Sequence, residues 1–216
     1  MASTAMAADN ELTAAEKAEG WILLFDGKSL DDWMTSNGGT SNRPIEEHSI
    51  NPHGSGHYML VHRQLWENFV LALDFRISQG CNSGVFVRTF PLQPRSRKDV
   101  GYNDIEIAID DTATAGYHDT GAIYDLARPS KNAMKPAGEW NHLKVTCDKS
   151  LIVVRLNGEQ VTEVDLNQFD RPELRPDGSR HKFDLAFKDH PRKGYIGLQD
   201  HGSDCWFKNI KLKPLT

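Results

Sequence analysis

Cysteine is scarce in this chain of 216 residues. Cys81, Cys147 and Cys205 are its three cysteines, widely spaced, with no CxxC pair. This pattern excludes a zinc ribbon or a dithiol redox motif and predicts three free or buried thiols. One disulfide with a leftover thiol stays open if the protein is exported. No apolar run approaches about 18 residues, so no membrane-spanning helix is expected. The opening stretch lacks a basic n-region and an apolar h-region, and is not read as an intact signal peptide. A large charge of one sign is also missing. The net charge of -5, from 25 Lys+Arg against 30 Asp+Glu, argues against a dedicated nucleic-acid binder. Sustained helical periodicity is absent after Gly20.

What is present is 38% apolar and 25% charged, ordinary for a globular chain able to bury a sizeable core. Residues 1–11 are expected to be disordered and residues 12–216 to form one domain. Thr13-Ala14-Ala15-Glu16 fits a capping box, and Gly20 suits a left-handed helix end, which predicts a short helix over 14–19. The rest reads as short strands: 21–25, 58–61, 69–77, 82–88, 104–111, 120–124, 140–147, 194–201 and 205–212, with a weaker one near 45–50. Asn157-Gly158 predicts a type I′ hairpin within 151–164. Trp33 reads as a core anchor. His48, His53, His57 and His62 read as solvated loop histidines, because Gly54 and Gly56 oppose the helix that would align His53 and His57 on a metal. Arg95, Arg97 and Lys98 read as a solvated basic loop. The long irregular segment 112–139 reads as a rim or lid.

One pair of strands organises the reading. Alternation puts Ile105, Ile107 and Ile109 on one face, and Asp104, Glu106, Ala108 and Asp110 on the other. In the neighbouring run Val85 and Val87 oppose Asn82, Gly84, Phe86 and Arg88. An amide, a guanidinium and several carboxylates then collect on one surface, the expected floor of a binding cleft. Asp74 and Arg76 either join that floor or pair across strands.

The ordered set of short motifs resembles the 3-keto-disaccharide hydrolase domain family over about residues 12–214. The matching pieces include Leu24-Phe25-Asp26-Gly27-Lys28, Asn82-Ser83-Gly84-Val85-Phe86-Val87-Arg88, Thr120-Gly121-Ala122-Ile123-Tyr124, Gly138-Glu139-Trp140-Asn141, Leu198-Gln199-Asp200-His201-Gly202 and Phe207-Lys208-Asn209-Ile210. The resemblance implies an all-β fold, a concanavalin A-like jelly-roll sandwich of two antiparallel sheets with a short N-terminal helix. It also implies a small-molecule carbohydrate ligand on the concave face, and a periplasmic or extracellular location. This chain has Glu106-Ile107-Ala108 where the family usually carries Glu-x-Gln, and Lys208 where arginine is commoner.

The resemblance further implies hydrolase or lyase chemistry on 3-keto-glycosides or 3-keto-disaccharides. Glu106 and Asp110 on one strand lie about 13 Å apart, too far for a retaining glycosidase pair, which needs about 5–5.5 Å. Elimination assisted by a C3 ketone needs instead one base for the C2 proton and donors for the enolate oxygen. The expected catalytic residues are Glu106 as base and His201 as second base or leaving-group acid. The expected substrate-binding residues are Asn82, Arg88, Asp110, Tyr124 and Gln199. No cofactor is expected, beyond a structural calcium that Asp110 and Asp111 would be placed to hold. The plainer readings stand beside these. Glu106 and Arg88 form a cross-strand ion pair, His201 is an edge histidine, Asn82 shapes the strand entry, and the protein is a lectin-like module that binds sugar without cleaving it.

Overall fold

A computed structural model describes residues 8–93 and 104–216. In chain order the elements are α1 (Ala14–Ala18), β1 (Ile22–Leu23), β2 (Trp33–Thr35), β3 (Met59–His62), β4 (Phe69–Ile77), β5 (Asn82–Thr89), β6 (Ile105–Asp110), β7 (Asn141–Asp148), β8 (Leu151–Leu156), β9 (Glu159–Asp165), β10 (Tyr195–Gln199) and β11 (Cys205–Pro214). They form two antiparallel sheets, six strands in the order β1-β11-β4-β7-β8-β9 and five in the order β2-β3-β10-β5-β6. This is the expected all-β jelly-roll sandwich with its short N-terminal helix.

Alternation explains the layering. Phe69, Leu71, Leu73, Phe75 and Ile77 on β4 are fully buried, and so are Val85, Val87, Ile105 and Ile107 on β5 and β6. All nine belong to one apolar cluster that fills the space between the sheets. Truncating any of the phenylalanines to alanine would cost about 3–5 kcal/mol through lost transfer energy and a cavity. Trp33 is 2% exposed, and its indole donates to the Leu24 carbonyl at 2.9 Å. The three cysteines are free and buried. Thr13 and Glu16 form the capping box of α1. The Asn157-Gly158 turn has φ of 51° and 87°, the two positive angles a type I′ turn requires.

Several boundaries move. The strand expected over 21–25 shrinks to β1. Residues 45–50 and 120–124 form isolated bridges rather than strands, Glu46 with Ser49, Ile50 with Phe207 and Ile123 with Ile107. Asn10, inside the stretch 1–11 expected to be disordered, is 4% exposed and donates its backbone N–H to Asn209 Oδ1 at 2.6 Å. Residues 1–7 lie outside the described residues, as do Arg95, Arg97 and Lys98.

The four loop histidines separate. His48 contacts the Gly27 carbonyl, His53 pairs with Asp200, His57 bonds Ser36, and His62 packs edge-on against Trp33 at 5.5 Å. Among the described residues there is no group of three or more His, Cys, Asp or Glu placed to hold a metal ion. Nor is any described helix long and apolar enough to cross a membrane.

Candidate active site on the outer face of the smaller sheet

The outer face of the five-stranded sheet is built by register. Asn82 pairs with Asp110, Gly84 with Ala108 and Phe86 with Glu106. Leu198 pairs with Val85, and Gln199 with Met59. Since Leu198 and Val85 face the core, Gln199, Gly84 and Ala108 form one row across the outer face. Met59, Val61 and Phe86 make an apolar patch beside it, bordered by Tyr58 and Tyr195.

Glu106 is the central group. It is only 8% exposed, and its side chain lies over Gly84. A Cβ at position 84 would stand 2.6 Å from Glu106 Oε1 and 2.8 Å from its Cγ. Any side chain there would evict the carboxyl, so glycine is required by close approach rather than by a turn. Burial pushes the Glu106 carboxyl up to about 8, with the nearby charge of Lys182 opposing that rise. Near neutral pH the group is therefore mostly protonated, and close to the range in which a general base or acid works best.

Two loops wall the face beside β6. Tyr124 donates its backbone N–H to the Glu106 carbonyl at 2.8 Å, which aligns segment 117–125 along the strand. Asp125 fastens the second loop. It accepts from the Lys182 backbone N–H at 2.7 Å and pairs with the buried Arg175 guanidinium at 2.6 Å. Lys182 Nζ sits 4.5 Å from the Tyr124 ring centroid, and His118 stacks on that ring at 4.5 Å. Both groups contact the aromatic ring that a stacking sugar would use. Sequence reading missed Lys182, because it lies in an irregular stretch with no periodicity, 76 residues from Glu106 in the chain.

Gln199 is 2% exposed. Its Nε2 donates to the Tyr58 hydroxyl at 2.7 Å, and its Oε1 has no hydrogen-bond partner. Asn82 stands at the entry to β5, where Ser203 Oγ accepts from its backbone N–H at 2.9 Å and donates to its carbonyl at 3.0 Å. The Asp110 carboxyl is raised, first by burial and then by the charge of Asp119, while His201 acts the other way. His201 is exposed on the loop after β10. At the opposite end of the face, Asp104 is buried 3.6 Å from His190, and burial raises its carboxyl too.

Arg88 leaves the set. Tyr195 pairs with Thr89 and Gly197 with Phe86, so Val87 and Arg88 together oppose Ile196 in a β-bulge. Arg88 has φ of 56° and is fully buried. Its guanidinium donates to the Glu67 carbonyl at 2.8 Å, the Lys149 carbonyl at 2.7 Å and Asn68 Oδ1 at 3.1 Å. The acceptors flank β4 and β7 of the other sheet, so Arg88 ties the two layers together and forms no ion pair with Glu106. Asp74 and Arg76 lie on the outer face of the six-stranded sheet, where Asp74 bonds His142 at 2.7 Å and Arg76 pairs with Glu47 at 3.1 Å.

The sequence comparisons agree with this fold. Residues 20–213 match the family model described as a 3-keto-alpha-glucoside-1,2-lyase-like domain. A 3-keto-disaccharide hydrolase of Bacteroides thetaiotaomicron (strain VPI-5482) is 30% identical, over 92% of this chain and 79% of its own length. Two solved structures from Parabacteroides distasonis ATCC 8503, both described as candidate glycosyl hydrolases, superpose well. One is 32% identical with a TM-score of 0.75, covering 90% of this chain and 99% of its own. The other is 27% identical with a TM-score of 0.77, covering 97% and 100%. With nearly all its strands inside the matched region, the chain belongs to the family of 3-keto-alpha-glucoside-1,2-lyase-like domains.

Proposed function

We propose that this protein cleaves 3-keto-glycosides on the outer face of its five-stranded sheet, with Glu106 as the base. The observation that carries the reading is the placement of Glu106. It is a buried carboxyl held over Gly84, with burial raising it to about 8, on the face where Gln199 and Asn82 also lie. A ketone at C3 acidifies the C2 hydrogen. Ionised Glu106 takes that proton, and the C2–H electron pair becomes the C2=C3 bond of an enolate. Collapse of the enolate restores the ketone, forms C1=C2 and expels the C1 substituent, which gains a proton as it leaves. Addition of water to C1, with return of a proton to C2, completes hydrolysis. Stopping before that addition makes the protein a lyase.

Lys182 supplies positive charge beside Glu106. In a site of low dielectric such a charge favours both the ionised base and the enolate. His201, exposed at the rim, is the candidate proton donor to the leaving group. Asn82 and Asp110 are candidate hydroxyl ligands at the same end, and the edge of Tyr124 is a wall contact. Asp110 and Asp111 stand as side chains that would ligate calcium were it bound.

The test is product analysis with 3-keto-trehalose and 3-keto-sucrose beside their unoxidised parents. Cleavage of the keto sugars alone is expected. Glu106→Gln should lower that turnover by about 10²–10⁴-fold, the usual worth of a positioned base, while a cooperative thermal melt shows that the variant still folds. Equal cleavage of keto and parent sugars would refute the ketone-assisted route. Full activity of Glu106→Gln would remove Glu106 as base. Saturable sugar binding without product would leave a lectin-like module.

A further inference from the structure

Buried side-chain acceptors almost always find a donor, and the exceptions call for an explanation. Gln199 is such an exception. The side chain is 2% exposed, its Nε2 is committed to Tyr58 at 2.7 Å, and its Oε1 has no partner. The backbone around it is fixed, because the Gln199 carbonyl accepts from Ser83 Oγ at 2.9 Å and its Cα is in register with Met59. Tyr58 is braced in turn by an edge-on contact with Phe86 at 6.0 Å. The amide is therefore held from one side. Gln199 stands in one row with Gly84 and Ala108, and the Glu106 carboxyl lies over Gly84.

We propose that Gln199 Oε1 is the acceptor for one hydroxyl of the bound sugar, and that this contact sets which way round the ring sits. The inference rests on the reading that this face binds the 3-keto-glycoside. A carbonyl oxygen accepts but does not donate, so the C3 ketone cannot occupy the place opposite Gln199 Oε1. A hydroxyl fits there, and the ketone turns toward the Lys182 side of the floor. The same contact rejects sugars lacking that hydroxyl, because binding them would leave a buried acceptor unpaired. Ala108 strengthens the dependence on Gln199. A longer polar side chain at 108 would share the row, and here a methyl group stands in its place.

The experiment uses the whole protein and non-cleavable C-glycosides of 3-keto-glucose, whose C1 substituent cannot leave. Binding is then read by calorimetry whether or not Glu106 is the base, and turnover of O-glycosides by Glu106→Gln reports on the base separately. The probes are the parent C-glycoside and its 2-, 4- and 6-deoxy and deoxyfluoro analogues. For the wild-type protein, loss of one particular hydroxyl should weaken binding by about 5–100-fold, and fluorine at that position should not restore it. In Gln199→Met the parent should lose a similar factor while that deoxy analogue binds nearly as before. Tyr58→Phe, which frees the amide to turn, should lose part of the same discrimination. The preference for the 3-keto sugar over its 3-hydroxy counterpart should be the same in wild type and Gln199→Met. Four outcomes would overturn the proposal: a Gln199→Met effect spread equally over all analogues, a collapse of the keto preference, full rescue by fluorine, and failure of every C-glycoside to bind.

Discussion

The two outer faces of this sandwich are built from similar residue types and solve their polarity differently. On the six-stranded sheet, Arg76 lies between Trp140 and Trp206, 5.0 and 4.8 Å from the ring centroids, and pairs with Glu47. Asp74 accepts from Asn209 at 2.6 Å and bonds His142, and these bonds hold its carboxyl below the usual range despite burial. On the five-stranded sheet, burial dominates at Glu106 and lifts its carboxyl to about 8, while Gln199 Oε1 has no partner. One face spends its polar groups on the fold. The other carries groups that the fold alone gives no reason to bury, and that difference, rather than the number of charges, marks the working surface.

The largest expected effect sharpens this contrast through pH. The folded Glu106 carboxyl, at about 8, titrates above its unfolded counterpart, at 4.5. Its favourable contribution is complete below about 4.5 and is lost as pH rises toward 8, because the unfolded chain ionises first. A shift of that size is worth up to roughly 5 kcal/mol. Glu106→Gln should abolish this part of the slope, so in denaturant titrations the variant should gain stability relative to wild type as pH rises from 5 to 8. Asp104 and Asp110 are also raised, but they are common to both proteins and cancel in the difference. The kcat/KM of the wild type should climb with pH through the same window, reach half its plateau near 8 and level off above it. A flat difference in stability would mean that Glu106 ionises normally.

The next effect breaks the contrast by moving a charge from one role to the other. Arg88 lies on a strand of the working sheet yet behaves like the structural face, fully buried with three acceptors. Arg88→Met should cost about 3 kcal/mol in chemical denaturation, since buried carbonyls lose a charged donor. The folded fraction should keep its KM. A variant with wild-type stability and weakened substrate binding would return Arg88 to the cleft. Gly84→Ala makes the opposite cut. The added methyl collides with the Glu106 carboxyl and should lower turnover by about 100-fold, the scale of a 1 Å misplacement. No polar group is removed, and the core side of β5 is untouched. Turnover near the wild-type level would show that the carboxyl's position over Gly84 is not needed.

Much of the fold was legible because alternation is a local rule. β4, β5 and β6 were readable to within a residue or two, since Phe69 to Ile77, Val85 with Val87, and Ile105 with Ile109 alternate without interruption. The same rule failed at Arg88. One extra residue in the bulge reverses every parity count beyond it, and nothing in Phe86-Val87-Arg88-Thr89 announces the positive φ. The placements of Glu106, Asn82 and Gln199 on the outer face were within reach, being fixed by period-two patterning. Lys182 and the Asp125–Arg175 clamp were not, because they bring together loops about 50 residues apart through contacts that no periodicity encodes. Gly84 did carry a readable signal. A glycine amid β-branched and aromatic neighbours in a strand marks a close approach, here by the Glu106 carboxyl.

The smallest predicted effect tests the structural face. Arg76 makes contacts of the kind that draw attention in a search for ligands, a guanidinium between two tryptophans at the edge of a groove lined by Ser78, Gln79 and Asp111. Each cation–π contact at a partly exposed site is worth about 0.5–1 kcal/mol, and the ion pair of Arg76 with the largely exposed Glu47 adds little. Arg76→Ala should therefore lower stability by about 1 kcal/mol, measured by thermal melt, and leave kcat and KM for a 3-keto-glycoside unchanged. The Trp206 indole keeps its bond to Glu46 at 2.9 Å, so the groove should not collapse in the variant. A fall in turnover with stability intact would place a second working surface on the six-stranded sheet and undo the division between the faces. The opposite result, a small loss of stability alone, is what a face whose polar groups are already mutually satisfied must give.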